Sequence, residues 1–180
     1  MNKLEFITPE GQEPNREEFV LFVNTGTREA PDWQPLGSGN EDSSVSYDWN
    51  TSSATDILGN VKITANKPSR TQDLDPLPLT VGQKAVEYLW EKLVWEENVQ
   101  AARNMDVLEV YKYARWKNGG GIAAKRYQSS GIFVTGHGGA GGAGLGMPLQ
   151  VMFGGEKQMG KVEISAENVV TFTKGEPAGT

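Results

Sequence analysis

The sequence predicts a mainly β fold, a β-sandwich or barrel flanked by one α-helix. Short segments that alternate apolar and polar residues recur along the 180-residue chain, and such alternation is typical of half-buried strands. Only one segment carries apolar residues at helical spacing, and glycine-rich turns separate the strands. The length predicts one domain over residues 19–175. A polar arm over residues 1–18 precedes it, and we expect this arm to need a partner to order it.

Four segments have the pattern of strands in an antiparallel sheet with one face on the core. In the first, Val45, Tyr47 and Trp49 alternate with polar residues, which favours burial of both aromatic side chains. The other three are Val61–Ala65, Lys161–Ser165 and Val169–Thr173.

Two further segments are apolar on both faces. Phe19–Val23 predicts a central strand or a strand covered by another subunit. Val107–Trp116 carries aromatic residues on both faces. Burial of both sides indicates either self-assembly or a helix packed outside the sheet.

One amphipathic helix is predicted from about residue 81 to residue 102. Thr80 and Gln83 have the spacing of a capping box directly after two prolines. Apolar residues follow at i, i+3, i+4, i+7 and i+8 and predict the face that packs on the core, with Trp90 as its anchor. This face consists of Val86, Leu89, Trp90, Leu93 and Val94.

The run Gly136–Met147, GHGGAGGAGLGM, matches the G-x-G-x-x-G fingerprint of dinucleotide-binding proteins twice. A strand precedes the run, but Met147, Pro148 and another strand follow where the fingerprint requires a helix. We therefore expect no nucleotide to bind and predict a flexible loop between two strands. Its residues are Gly136, His137, Gly138, Gly139, Gly141, Gly142 and Gly144.

Composition argues against most kinds of chemistry. The chain has no cysteine and one histidine, His137, which lacks companions for a metal site or a general base. Asp73 and Asp75 have the spacing of a carboxylate pair or part of a calcium site, but the neighbouring prolines favour a turn with solvated carboxylates. We expect no catalysis, no cofactor and no metal.

The net charge of −6 argues against a nucleic-acid-binding surface. The basic residues between Lys112 and Arg126 have the pattern of a solvated strand face. Neither a signal peptide nor a membrane anchor is expected, so the chain is predicted to fold in a cytoplasm.

Six segments occur in a recognisable order: Thr55–Thr64, Thr71–Pro76, the tryptophan-bearing helix, Met105–Tyr113, Arg126–Gly136 and Met147–Glu156. Together they resemble the major tail tube protein of long-tailed, siphovirus-like bacteriophages that infect Gram-positive bacteria. The resemblance spans roughly residues 47–172. The arm and residues 117–124 depart from it.

The resemblance implies a structural virion protein with a tail-tube type of β-sandwich. Six copies would close into a ring around a continuous inner β-barrel, and stacked rings would form a tube that conducts viral DNA without binding it specifically. The implied partners are further copies, the tape-measure protein, the tail terminator and distal tail proteins. The implied location is the virion tail, assembled in the bacterial cytoplasm. Six copies of −6 would give −36 per ring, and a lumen of that charge would not retain phosphate.

Within this interpretation, a loop between early strands contacts the next ring, as does the arm, and the glycine loop lies at the rim of the ring. The residues expected to make this ring-to-ring contact are Asn50, Thr51, Asp56, Ile57, Leu58 and Gly59. The alternative is a monomeric β-sandwich that binds a ligand such as a carbohydrate. Its stacking platforms would be Trp33, Tyr47, Trp49 and Tyr127.

Overall fold

The computed structural model describes residues 3–117 and 120–175. The strands are β1 Leu4–Phe6, β2 Phe19–Asn24, β3 Trp33–Leu36, β4 Val45–Asp48, β5 Ser52–Thr55, β6 Val61–Thr64, β7 Ser69–Pro78, β8 Met105–Trp116, β9 Ile122–Val134, β10 Gly146–Met152, β11 Lys157–Ile164 and β12 Val170–Lys174. The helical elements are a 3₁₀ turn at Arg16–Glu18, α1 Lys84–Leu89, a π-helix at Trp90–Trp95 and α2 Val99–Arg103. The prediction of a mainly β fold with a flanking helical segment is confirmed.

Ten strands form one antiparallel sheet with two layers. The strand order is β3-β2-β8-β9-β10-β7-β4, with β1 on β8 and with β11 between β9 and β12. The long strand β9 belongs to both layers, because its first half pairs with β11 and its last residues, Gly131–Val134, pair with β10. Among the described strands, β5 and β6 pair only with each other.

Two apolar clusters cover the two faces of the β2–β8–β9 layer. Leu21, Val23 and Val107 face the first cluster, which also receives residues of β7, β10 and α1. Phe22 and Leu108 face the second cluster, on the opposite side of the layer. Strands β2 and β8 are therefore apolar on both faces because the chain itself covers both faces. Their pattern gives no evidence for self-assembly.

The predicted helix differs from the observed one. Helix α1 begins at Lys84, and Glu97 has a φ of 47°, which ends the helical path before Asn98, the N-cap of α2. The predicted capping box of Thr80 and Gln83 is wrong, because Gln83 is itself the N-cap of α1 and its N–H donates to the Thr80 backbone carbonyl at 3.3 Å. Instead, the Asn98 side chain accepts a hydrogen bond from the Ala101 backbone N–H at 2.9 Å and caps α2.

The predicted apolar face of this helical segment does pack on the first cluster. Val86 and Leu89 are buried, whereas Trp90, Leu93 and Val94 are partly buried. Trp90 stacks on Trp95 with ring centroids 6.0 Å apart. It therefore lies at the margin of the core and does not anchor its centre.

The arm is held partly by its own chain. Strand β1 pairs with the end of β8, from Leu4 opposite Trp116 to Phe6 opposite Ala114. Arg16 donates hydrogen bonds to the Ser43 carbonyl at 2.8 and 3.1 Å. The expectation that the arm needs a partner is thus wrong for these residues, since β8 provides the pairing edge. Residues 1 and 2 lie outside the described residues.

Candidate assembly surfaces

A β-hairpin leaves the domain between β4 and β7. Its strands β5 and β6 pair from Ser52 opposite Thr64 to Thr55 opposite Val61. Every residue from Ser46 to Lys67 is exposed. An isolated two-stranded hairpin is only marginally stable in water, so its geometry depends on its base and its turn.

Hydrogen bonds fix the base of the hairpin. The Asp48 carboxylate accepts from the Asn50 N–H at 2.9 Å, and Asn50 has a φ of 44°. The Asn66 N–H donates to the Trp49 carbonyl at 3.1 Å. The hydroxyls of Ser52 and Thr64 lie 2.6 Å apart across the first pair. These bonds set the direction in which the hairpin leaves the sheet.

Asp56 organises the turn at the tip. Its carboxylate accepts hydrogen bonds from the Asn60 side chain at 3.0 Å and from the backbone N–H groups of Leu58 and Asn60 at 2.8 and 2.9 Å. These hydrogen bonds lower the pKa of Asp56, and the bond from the Asn60 side chain contributes most. Gly59 has a φ of 83°, which favours glycine at that position. The turn therefore presents Ile57 and Leu58 in a defined arrangement.

The hairpin carries apolar side chains that none of the residues described by the structure covers. Ile57 is 102% exposed and Leu58 is 81% exposed. Val61 and Ile63 are also exposed and share one face of the hairpin, because alternate residues of a strand point the same way. The half-buried strand predicted at Val61–Ala65 is therefore wrong for the single chain. Its apolar face exists, but no residue in 3–117 or 120–175 packs against it.

The exposed side chains of β4 also contradict the predicted burial of its aromatic residues. Tyr47 is 50% exposed and Trp49 is 52% exposed, whereas burial was expected. Strand β4 ends the sheet, and of the strands that the structure describes it pairs with β7 alone. Trp33 and Tyr127 are buried. The four aromatic residues of the carbohydrate alternative therefore do not form one exposed platform.

The glycine run joins two neighbouring antiparallel strands. Residues 135–145 connect β9 to β10, and Gly138 and Gly146 exchange backbone hydrogen bonds of 3.0 and 2.7 Å. A strand follows the run, so the helix of a dinucleotide site is missing. A Cβ atom on Gly139 would lie 2.5 Å from the Gly144 carbonyl oxygen, because the two arms of the loop approach closely there. The mobility of the loop stays a prediction.

An apolar cleft of about 640 Å³ lies between the glycine loop and the helical segment. Val81 and Leu145 are exposed at its mouth, and the buried Val86 lies deeper. Its lining consists of Leu79, Thr80, Val81, Val86, Glu87, Trp90, Glu91, His137 and Leu145. This cleft brings the predicted glycine loop and the predicted helix face together.

The hairpin and the cleft lie at opposite ends of one strand. The hairpin joins the Ser69 end of β7, where Ser69 pairs with Asp48. The cleft adjoins the Pro78 end, where Pro78 pairs with Gly146 and the Leu79 N–H donates to the Leu145 carbonyl at 3.0 Å. Strand β7 is ten residues long, so its two ends lie about 30 Å apart at the usual rise of a strand.

A buried ion pair connects the base of the hairpin to the other layer. Arg70, which pairs with Tyr47 across β4 and β7, donates to both carboxylate oxygens of Glu109, one at 2.9 Å, and to the Tyr127 hydroxyl. The Tyr111 hydroxyl donates to Glu109 at 3.0 Å. Glu109 has no exposed surface. Each oxygen of its carboxylate therefore has a donor in place of water.

This network shifts the pKa values of its members. Burial alone would lower the pKa of Arg70, but the hydrogen bond and the charge of Glu109 raise it. Burial and the Glu109 charge raise the pKa values of Tyr111 and Tyr127. Sequence reasoning missed this site. Its signal was a single carboxylate inside the apolar run VLEVYKY.

The predicted basic cluster is partly buried and paired. Arg126 donates to Asp106 at 2.5 and 3.0 Å, and Arg115 donates to Glu5 at 2.6 Å. Burial lowers the pKa of Lys125. The expected solvated face is therefore wrong for Arg126 and Lys125, because both lie against the centre of the sheet.

The remaining candidate ligands are dispersed. Asp73 accepts a hydrogen bond from the Gln150 side chain at 2.9 Å. Within residues 3–117 and 120–175, no group of three or more Asp, Glu, His or Cys side chains is placed to hold a metal ion. In the same ranges, none of the helices has the length and apolar character needed to span a membrane.

Solved structures share this architecture. A sheath/tube terminator of an extracellular contractile injection system, PVC, is 12% identical over 84% of this chain and 99% of that chain, with a TM-score of 0.50. The chain has a tail-tube-like fold. A chain of the PVC sheath-tube complex is 13% identical over 85% of this chain and 94% of that one, with a TM-score of 0.50.

A third solved structure is similar to this chain in fold. A chain from the tail of an empty GTA particle, refined with C6 symmetry, is 8% identical over 81% of this chain and 97% of that chain, with a TM-score of 0.50. No protein-family model and no curated protein matches the sequence. At these identities the likeness concerns the fold, and it extends over nearly the whole of each solved chain.

Proposed function

We propose that this protein is a structural tail protein whose copies form rings that stack into a tube. The observation that carries the proposal is an ordered hairpin with uncovered apolar residues on a tail-tube-like fold. Exposed apolar clusters on a soluble chain mark surfaces that bind another protein. A heterologous contact between identical chains closes into rings or extends into filaments. A tail-tube-like fold with such a contact is suited to forming rings and to stacking them into a filament.

The finer parts of the proposal concern ring size and cargo. We propose six copies per ring, in keeping with the C6 symmetry of the GTA tail to which this chain is similar. We propose that DNA passes through the lumen without specific binding, because a chain of charge −6 offers phosphate little attraction. The tape-measure protein, a terminator and distal tail proteins are the proposed partners in a virion tail assembled in the host cytoplasm. A long-tailed phage of a Gram-positive host stays a prediction.

The residues proposed for ring-to-ring contact lie on the hairpin. Asn50 and Thr51 are at its base, and Asp56–Gly59 form its tip. The strand edges that remain open on β12 and β3 are candidates for closing the ring, because unpaired edges otherwise invite uncontrolled pairing. These roles are independent of any catalytic chemistry.

Sedimentation velocity over a wide range of protein concentrations tests the proposal. We expect species much larger than a monomer whose proportion rises with concentration. Replacing Ile57 and Leu58 by serine should reduce stacking without unfolding the chain, because both side chains are exposed. A single monomeric species at every concentration and ionic strength would contradict the proposal.

A terminator role is the second candidate, because the likeness to a sheath/tube terminator covers 99% of that chain. A terminator ends a tube and does not extend one. Single rings that never stack, with intact hairpins, would favour this role over that of a tube subunit.

A further inference from the structure

We propose that the hairpin tip of one copy docks in the cleft between the glycine loop and the helical segment of a second copy. This inference rests on the proposed function and assigns the receptor for its ring-to-ring contact. The inserted residues are Ile57 and Leu58. The receiving residues are Val81, Val86, Trp90 and Leu145.

The tip is built as an insert. Asp56 fixes the turn through three hydrogen bonds of 2.8 to 3.0 Å, so the turn loses little conformational freedom when it docks. Ile57 and Leu58 are adjacent and almost wholly exposed. Docking removes both from water, and each fully buried side chain of this size is expected to strengthen the contact by about tenfold or more.

The cleft is built as a receptor. It is lined mainly by apolar side chains, and its volume of about 640 Å³ falls in the range of pockets that hold compact ligands. Val81 and Leu145 are exposed at its mouth. An apolar group from a second copy would remove both from water.

The placement of the two features requires a second copy. The base of the hairpin and the cleft adjoin opposite ends of β7, and the tip is exposed, so it does not occupy the cleft of its own chain. Each copy therefore offers an insert at one end and a receptor at the other. Such a contact is head-to-tail and repeats without limit along one direction.

Charge favours the same pairing. Lys62 lies on the hairpin one residue pair from its turn. Glu87 and Glu91 line the cleft, where Glu87 accepts a hydrogen bond from the Gly82 N–H at 2.8 Å and Glu91 lies 3.5 Å from the Lys92 ammonium. The Asp56 carboxylate is occupied by the turn's own donors, so Lys62 is the charged side chain nearest the tip that can meet the two glutamates.

Disulfide trapping tests the pairing, because the chain has no cysteine of its own. The variant carries Ile57→Cys and Val81→Cys, both at exposed positions. After mild oxidation of assembled protein, we expect a ladder of dimers, trimers and longer species on a non-reducing gel. The matched control carries Ile57→Cys with Val169→Cys, an exposed valine on the β11–β12 turn, and should give at least tenfold less cross-linking.

The outcomes separate the inference from the proposed function. Tubes without the ladder would overturn the docking site and leave the tube function standing. An equal ladder from the Val169→Cys control would also overturn the site, since the tip would then bind elsewhere. Failure of the cysteine-free parent chain to form rings or tubes would overturn both. A ladder from the Val81→Cys pair alone, together with tubes, is the expected result.

Discussion

Replacing Glu109 by glutamine should destabilise the fold strongly, because it removes one charge of a buried ion pair. Glu109 is fully buried and its partner Arg70 is 9% exposed, so water cannot replace the lost carboxylate. Breaking a buried pair from one side costs about 3–5 kcal/mol. Three hydrogen bonds to the carboxylate, from Arg70 and Tyr111, are weakened at the same time. We expect a loss of about 4 kcal/mol in the free energy of unfolding.

Urea denaturation followed by tryptophan fluorescence measures this loss. With a urea dependence of roughly 2 kcal/mol per molar, the midpoint should fall by about 2 M. The matched control is Glu163→Gln, whose carboxylate is exposed and pairs with Lys161 at the surface. The control should leave the midpoint unchanged.

A double variant tests the reasoning further. Arg70→Met with Glu109→Leu removes both charges and should recover most of the stability, since apolar replacements of a buried pair are often neutral. A loss below about 1 kcal/mol for Glu109→Gln would refute the argument. A double variant less stable than Glu109→Gln alone would refute it as well.

Three further predictions concern the core, the glycine loop and the arm. The pKa values of Tyr111 and Tyr127 are raised, so the stability that these two side chains contribute is fully present below about pH 10, the pKa of an unfolded tyrosine, and is lost as the pH rises above it. Alkaline unfolding followed by circular dichroism should show a smaller loss of stability in Tyr111→Phe than in the parent chain. An identical loss in both would count against this explanation. Gly139→Ala should lower the stability by about 1 kcal/mol in thermal unfolding, because the new Cβ meets the Gly144 carbonyl. The control Gly141→Ala, with open space around it, should have no effect, and equal effects of the two variants would contradict the steric argument. Deleting residues 1–16 should impair the stacking of rings, while the circular dichroism spectrum should keep its β signature because β1 contributes only three residues of pairing. Normal tubes from the shortened chain would exclude a role for the arm in stacking.

The positions of several strands were predictable from the sequence because alternation is a local property, whereas their order in the sheet was not predicted. The strand, loop and strand around the glycine run follow from Pro148, which prevents a helix from completing a nucleotide site. The apolar face of α1 also follows from its spacing. These features depend on neighbours within a few residues.

Features that depend on distant residues were not predictable. Alternation at Val61–Ile63 indicates an apolar face, but it does not indicate whether the cover belongs to the same chain. The pairing of Arg70 with Glu109 joins residues of different layers, and neither residue's neighbourhood signals the other. The break at Glu97 lies within a continuous helical pattern, so only the packing of α2 against β9 locates it.

The central claim is that copies of this chain stack as rings around an open lumen. Negative-stain electron microscopy of the purified chain tests it most directly, through class averages of end-on and side views. We predict rings with sixfold symmetry and a central hole, and tubes in which rings repeat along one axis. Uniform small particles without a central hole, at concentrations where the folded chain is intact, would contradict the account.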